Sequence, residues 1–322
     1  MNKVKKYKAA IVGLGNIAFN FDKNSELNNF KFPLTHAMSY IHHPQVTIIS
    51  GCDPSLESRL SFQEKFNVPT FPDIFSMLEA TQPNILSICS PTPSHFEQVK
   101  IALKNNDIQM IWLEKPPTLN LDEHLALIEL NSKLKKTIVV NFMRRYSPLY
   151  ENIRNIIDNK TYGLVKGIQV KYSRGLLNNG SHLIDILNYL LGDQLLNSYH
   201  FYYVDKINQS AIINFKNLFY IHLINHEINY HSLDLEVTFE NARLSALYGG
   251  RTLKTELKVE NDLFPGFFHL QPFSEENLPS HHNTSFFNCV LTDLIFSFEN
   301  KKLPRSNLET ALFTSQFIDK FN

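Results

Sequence analysis

A strand-like run over residues 8–12, apolar from Ala9 to Val12, stops at once on Gly13-Leu14-Gly15-Asn16-Ile17-Ala18. A strand ending in two glycines one residue apart can turn sharply. The second glycine lets backbone approach a bound group, and a small residue such as Ala18 lets helix and strand pack closely. A helix starting there offers unpaired N–H groups to phosphate oxygens. Gly13, Gly15, Asn16 and Ile17 are therefore candidate contacts for a dinucleotide pyrophosphate. By itself the pattern is common; its weight comes from standing at the head of a series of β-α units.

Strand-like runs at 46–52, 85–90, 109–113 and 137–141 alternate with helical patterns at 55–66, 73–81, 95–105 and 122–135. Unbroken apolar strands between helices predict a parallel sheet covered on both faces, a doubly wound α/β domain. The pattern changes near Tyr150: helices at 149–157 and 181–191, mostly strands from 198 to 257, then helices at 286–298 and 308–321. Grouped strands flanked by helices predict an α+β domain on a largely antiparallel sheet. At 322 residues the chain is long enough for two cores. The expected division is residues 1–145, a Rossmann domain, and 146–322, a domain for substrate binding and oligomerisation.

Asp53 closes the second strand, where a carboxylate can accept both ribose hydroxyls of NAD and would repel the 2′-phosphate of NADP. The other reading is that Asp53 caps the next helix, a role open to Ser55 as well. Arg59 keeps NADP open as a 2′-phosphate contact. Asp53 also lies further from the glycines than the usual ~20 residues. The excess falls at 20–34, a polar segment expected to form an extended loop.

Lys+Arg and Asp+Glu are both 31, so no basic excess attracts nucleic acid. Cys52, Cys89 and Cys289 lack the spacing of a disulfide framework or metal site and read as reduced and buried. The lysine-rich start is followed by an apolar run too short for a signal core, and no stretch is long enough to span a bilayer. The expected address is the cytoplasm, with no membrane partner.

Ser90-Pro91-Thr92-Pro93-Ser94-His95 closes the strand ending at 90, and Glu114-Lys115-Pro116 the strand ending at 113. Gly180-Ser181-His182-Leu183-Ile184-Asp185 opens a helix that ends at Gly192. With the glycine loop and Asn141-Phe142-Met143-Arg144-Arg145-Tyr146, these stretches resemble the Gfo/Idh/MocA oxidoreductases over nearly the whole chain. Thr35-His36-Ala37 with Tyr40 resembles a branch of that family with a longer first crossover.

The resemblance implies an NAD(P)-dependent dehydrogenase acting on a sugar hydroxyl, assembled as a homodimer or homotetramer. It implies that Ser90, Pro91, Thr92, His95, Glu114 and Lys115 line the cofactor, and that Lys115 also meets the substrate hydroxyl. A solvated surface lysine is the alternative for Lys115. His182 and Asp185, three apart on one helix face, would be a general base and the carboxylate that orients it. Taken without the family, they are an ordinary histidine and a first-turn acid. Asn178 stands where many relatives have Asp; an amide can donate to and accept from a sugar hydroxyl but cannot take a proton. With Asn179 it is a candidate substrate contact, and the change argues against a simple inositol dehydrogenase. Arg144, Arg145 and Tyr146 would hold an anionic substrate group, such as a nucleotide diphosphate, or make structural salt bridges. The substrate class expected is a nucleotide-linked sugar. A free polyol or monosaccharide, or a sensor binding both ligands without turnover, are the alternatives.

Overall fold

The computed structural model describes residues 6–23, 33–192, 199–215, 219–277 and 286–321. The first stretch of chain gives β1 (Tyr7–Val12), α1 (His36–His42), β2 (Val46–Cys52), α2 (Leu56–Phe66), β3 (Thr70–Phe71) and α3 (Ile74–Thr81). After them come β4 (Ile85–Ile88), α4 (His95–Lys104), β5 (Met110–Leu113), α5 (Leu121–Leu134) and β6 (Thr137–Val140). The strands form one six-stranded parallel sheet in the order β3-β2-β1-β4-β5-β6. Strands β4 and β5 are buried at every residue, as a sheet covered on both faces requires. Local chemistry sets the helix starts: Ser55, Asp73 and Asn120 each accept an N–H three residues on, capping α2, α3 and α5. Ser55, not Asp53, is thus the cap of α2.

The helix expected directly after the glycines is not regular. The N–H groups of Phe19 and Asn20 both reach Gly15 O, and that of Phe21 reaches Asn16 O, which makes one wide turn. A 3₁₀ turn, Asn20–Asp22, succeeds it. Of the expected loop at 20–34, residues 24–32 lie outside the described residues. Buried Asp22 ties its two ends, accepting from the Thr35 hydroxyl at 2.7 Å and the Leu34 N–H at 3.0 Å.

Next come α6 (Pro148–Asp158), β7 (Val165–Tyr172), a π turn over Leu176–Gly180, α7 (Ser181–Leu191), β8 (Tyr199–Asp205), β9 (Ser210–Phe215) and β10 (Phe219–Asn225). The remaining strands are β11 (Leu233–Phe239), β12 (Ala242–Leu247), β13 (Thr252–Glu260) and β14 (Phe268–Asn277). They form an eight-stranded sheet, β14-β13-β12-β11-β7-β10-β9-β8, antiparallel except where β7 meets β10. Strand β11 alternates buried and half-buried residues, as a one-sided sheet should.

Helices α8 (Phe286–Asn300) and α9 (Leu308–Asp319) close the chain. Two compact units result: Met1–Met143 with Asn283–Ser315, and Arg144–His282 with Gln316–Asn322. The expected division at 145/146 therefore misses a return crossing. Helix α8 lies on β5 and β6, where Phe287 packs against Trp112 and His36. A parallel sheet needs cover on both faces, and distant chain supplies part of it here.

That return is fastened by His124 on α5. Its ring is fully buried, 2.8 Å from Ser315 Oγ and 3.0 Å from the Leu308 carbonyl. Burial lowers its pKa to about 4, against a smaller opposing pull from the Leu308 carbonyl. The folded pKa lies below the unfolded one, so stability is fully present above pH 6.5 and is lost as pH falls toward 4. The expected loss is about 3 kcal/mol. Thermal unfolding across that window should show the slope in the parent protein and lose most of it in His124→Asn; an unchanged slope would exclude His124 as its source.

Candidate active site

The strand order of the first unit reverses between β1 and β4, and in doubly wound sheets ligands bind beyond the strand ends at such a point. Gly13 sits there with φ +81°, and a Cβ on it would stand 2.5 Å from Ser90 N. Only glycine permits that contact between the β1 and β4 turns. A Cβ on Gly15 would meet nothing within 4 Å, so its small size serves no packing need and leaves backbone open to a ligand. Asp53 braces the loop: Oδ2 accepts the Leu14 N–H at 2.8 Å, and Oδ1 accepts the Ser55 N–H at 2.8 Å. A carboxylate has about four acceptor sites, so capacity for ribose hydroxyls remains. Arg59 Nη1 donates to the carbonyls of Asp53 and Pro54. These residues fit a dinucleotide.

Pro91 is exposed, Thr92 is half-buried, and a 3₁₀ turn over Thr92–Ser94 leads into α4. The Ser90 hydroxyl donates to Gln98 Oε1 at 2.5 Å. His95, expected to meet the cofactor, is almost fully buried, with Nε2 2.8 Å from Ser90 O and Nδ1 2.9 Å from Pro116 O. It clamps the end of β4 to the cis Lys115–Pro116 bond at the end of β5. Burial lowers its pKa more than the two carbonyls raise it. A neutral ring has one N–H, so it satisfies one carbonyl at a time.

Glu114 likewise turns inward. Its Oε1 lies 2.9 Å from His36 Nε2 and accepts from Asn141 Nδ2 at 2.5 Å, while Oε2 accepts the Lys115 N–H at 3.2 Å. His36 Nδ1 lies 2.9 Å from Ser87 Oγ, itself 2.6 Å from the Tyr40 hydroxyl. Trp112 Nε1 donates to Asn141 Oδ1 at 3.1 Å. One arrangement satisfies the chain: Tyr40 donates to Ser87, Ser87 to Nδ1, and Nε2–H to the carboxylate. Burial would raise the Glu114 pKa, but the donors from His36 and Asn141 outweigh it and hold the carboxyl below its ordinary value. Glu114 thus anchors the backbone of Lys115, rather than presenting its carboxylate to a ligand. The half-buried Lys115 is its neighbour in the chain. Sequence reasoning missed Ser87, although a lone hydroxyl inside the apolar strand 85–88 was a readable signal.

In the second unit the π turn delivers Asn178 at the surface and Asn179 buried. A Cβ on Gly180 would stand 2.9 Å from the Tyr172 ring, so glycine is needed for the turn to close on β7. His182 and Asp185 lie on the buried α7, His182 at 8% exposure and Asp185 at 0%. Asp185 was expected to orient His182. Its carboxylate is gripped by Arg145, Nε to Oδ2 at 2.8 Å and Nη2 to Oδ1 at 2.8 Å. Burial pushes the Asp185 carboxyl up, and Arg145 pulls it back in part. Arg145, expected to hold an anionic substrate, is thereby committed to the fold. Tyr146 is buried beside it in sequence, while Arg144 remains partly accessible.

A family model for oxidoreductases with an NAD-binding Rossmann fold matches residues 7–142. Residues 7–142 thus match the NAD-binding domain of the Gfo/Idh/MocA oxidoreductases. Among curated relatives, this chain is 24% identical over 220 residues to the D-glucoside 3-dehydrogenase of Escherichia coli K12, covering 62% of this chain and 58% of the relative. It is 33% identical over 140 residues to the scyllo-inositol 2-dehydrogenase (NAD(+)) of Bacillus subtilis 168, covering 38% and 40%. The chain thus spans about half the length of the curated relatives it matches. A solved 3-ketoreductase from Actinomadura kijaniata, in complex with NADP and TDP-benzene, shares the fold with TM-score 0.72 at 14% identity, over 98% of this chain and 96% of that one. No helix among the described residues is long and apolar enough to cross a membrane.

Proposed function

We propose that this protein reversibly oxidises a secondary hydroxyl of a sugar, nucleotide-linked, with NAD as hydride acceptor. One observation carries the reading: the open space beside Gly15, between Gly13 clamped on Ser90 and Asp53 braced on Leu14, at the strand edge that also presents Lys115. Asp53 favours NAD, since its carboxylate would repel a 2′-phosphate. Arg59, the candidate counter-charge, is turned to backbone carbonyls. The nicotinamide supplies the hydride-accepting carbon when bound. Lys115 stabilises the developing alkoxide, and His182 takes the hydroxyl proton as general base. Asp185 serves the site at one remove, by fixing Arg145 and the first turn of α7. Asn178 and Asn179 offer amides to sugar hydroxyls.

The D-glucoside 3-dehydrogenase relative favours a second reading, a neutral glycoside as substrate. Both readings are tested by nicotinamide reduction with NAD and with NADP, against UDP-hexoses, UDP-hexuronic acids, free glycosides and inositols. Turnover of a nucleotide sugar supports the first reading, and turnover of glycosides alone supports the second. Dinucleotide binding with no turnover on any of them would leave a sensor.

We also propose a homo-oligomer. The turn before β14, and β14 itself, expose Leu263 at 82%, Phe264 at 61%, Phe267 at 71% and Phe273 at 65%, and large apolar side chains exposed together on one hairpin suit an interaction surface. Light scattering should report a dimer or tetramer, and Phe264→Glu with Phe267→Glu should shift it toward the monomer. A monomeric parent at micromolar concentration would end the proposal.

A further inference from the structure

Helix α7, which carries His182, is entered through a turn that has no cap of its own. The π turn Leu176–Gly180 is closed by the Gly180 N–H on Gly175 O and by the Ser181 N–H on Leu176 O. Helix starts leave N–H groups unanswered, and a Ser, Thr, Asp or Asn just before the helix ordinarily takes one. Here that place is Gly175, which has no side chain to offer. The cap comes from 33 residues along the chain: Gln209 Oε1 accepts the Leu176 N–H at 2.8 Å.

Gln209 is held in an unfavourable backbone to do this. It stands in the β8–β9 turn with φ +52°, a left-handed conformation that glycine or asparagine adopts readily and glutamine rarely does. The turn is fixed on both sides of it. Asp205 accepts the Asn208 N–H at 3.0 Å and the Asn208 amide at 2.8 Å, and Ser210 Oγ accepts the Asn225 N–H at 3.1 Å. Tyr172 ties the turn to β7: its hydroxyl donates to Gln209 O, while its ring closes on Gly180 at the other end of the π turn. Gly175 makes the room, since a Cβ on it would stand 3.2 Å from Gln209 Oε1. Strain of this kind persists where the surroundings over-determine it, and it collects at functional sites. Glycine at 209 would relieve the backbone and lose the cap, so the cap is what the glutamine supplies.

The cap holds a register. Were the π turn to relax to α-helical bonding, one residue would leave it, and Asn178 and Asn179 would rotate roughly 100° about the axis against His182. Asn179, 5% exposed, keeps its Nδ2 without a partner among the described residues, a further cost that the bracket holds in place. We propose that Gln209 and Tyr172 are positioning residues for the sugar site, bracketing the π turn so that Asn178, Asn179 and His182 keep one arrangement. The proposal rests on the oxidoreductase reading for its chemistry, and on hydrogen bonds within the second unit for its geometry.

The test compares Gln209→Gly, Gln209→Glu and Tyr172→Phe in the full chain, by steady-state kinetics on the sugar that the parent oxidises and by thermal unfolding. Gln209→Gly removes the acceptor at a backbone position that suits glycine, so it should melt near the parent. Its kcat should fall about tenfold or more, with the KM for NAD within twofold. Gln209→Glu keeps an acceptor at the same reach and should restore kcat to within about threefold of the parent. The cleft that residue 209 lines holds both Arg174 and Glu227, so the added carboxylate meets a counter-charge as well as a like one. Tyr172→Phe should show a smaller loss in the same direction, and it decides the matter by the same readouts if Gln209→Gly does not fold. A merely structural cap would lower the melting temperature and leave kcat within twofold of the parent, which would overturn the proposal. So would Gln209→Glu turning over no faster than Gln209→Gly. If the parent binds a sugar without turning it over, the oxidoreductase reading falls, and sugar affinity takes the place of kcat in the same comparison. A parent that neither binds nor oxidises any sugar would overturn both.

Discussion

Lys115→Ala is expected to lower kcat by roughly 10²–10⁴ on whichever sugar the protein oxidises, the range typical for loss of a group that stabilises transition-state charge or relays a proton. Both flanks of Lys115 are fixed without its side chain. Its N–H is held by Glu114 Oε2 at 3.2 Å, and the carbonyl of Pro116 lies 2.9 Å from His95 Nδ1. Truncating the half-buried side chain disturbs neither contact, so dinucleotide affinity and thermal unfolding should stay near the parent values. Steady-state kinetics beside calorimetry separates the outcomes. A fall in kcat with unchanged stability supports the role, and retained turnover would remove Lys115 from the mechanism. Glu114→Gln should act more weakly and through position, because the amide keeps the shape and loses the charge that binds His36 and Asn141.

Arg145→Ala should destabilise the second unit by about 3–5 kcal/mol, the usual cost of leaving a buried charge without its partner. Both groups of the pair are at most 4% exposed, and both carboxylate oxygens of Asp185 lie 2.8 Å from guanidinium nitrogens. Burial pushes the Asp185 carboxyl up and the arginine pulls it back in part, so without the arginine it would rise further. For a unit of this size the melting temperature should fall by on the order of 10 °C. Calorimetry of Arg145→Ala and Asp185→Asn, with Arg145→Met/Asp185→Leu as the paired control, checks it. Recovery in the double variant is expected, since an apolar pair of similar volume often replaces a buried ion pair without loss. Single variants that melt with the parent would show that the pair holds nothing.

The residues that turn or end the chain were legible one by one. Gly13 at φ +81°, the cap Ser55, and the apolar runs of β4 and β5 each declare themselves within a few residues. Local sterics and local hydrogen bonds decide them. The site was legible as a set of positions, because strand ends of a doubly wound sheet share one edge. What each side chain does there was not. His95 and Glu114 were read as facing a cofactor, yet both turn to protein: His95 to the Ser90 and Pro116 carbonyls, Glu114 to His36, 78 residues away.

The order of residues along the chain was enough to place most strands and helices, though not β3 or β14, to make the first domain doubly wound, and to set the motifs at its strand ends. It took the folded chain to show that residues 286–315 return to cover the first sheet, that His124 fastens them, and that Asp185 answers to Arg145. Backbone signals are written in neighbouring residues. The partner of a buried charge is chosen by packing between distant segments, which leaves no period in the chain to read.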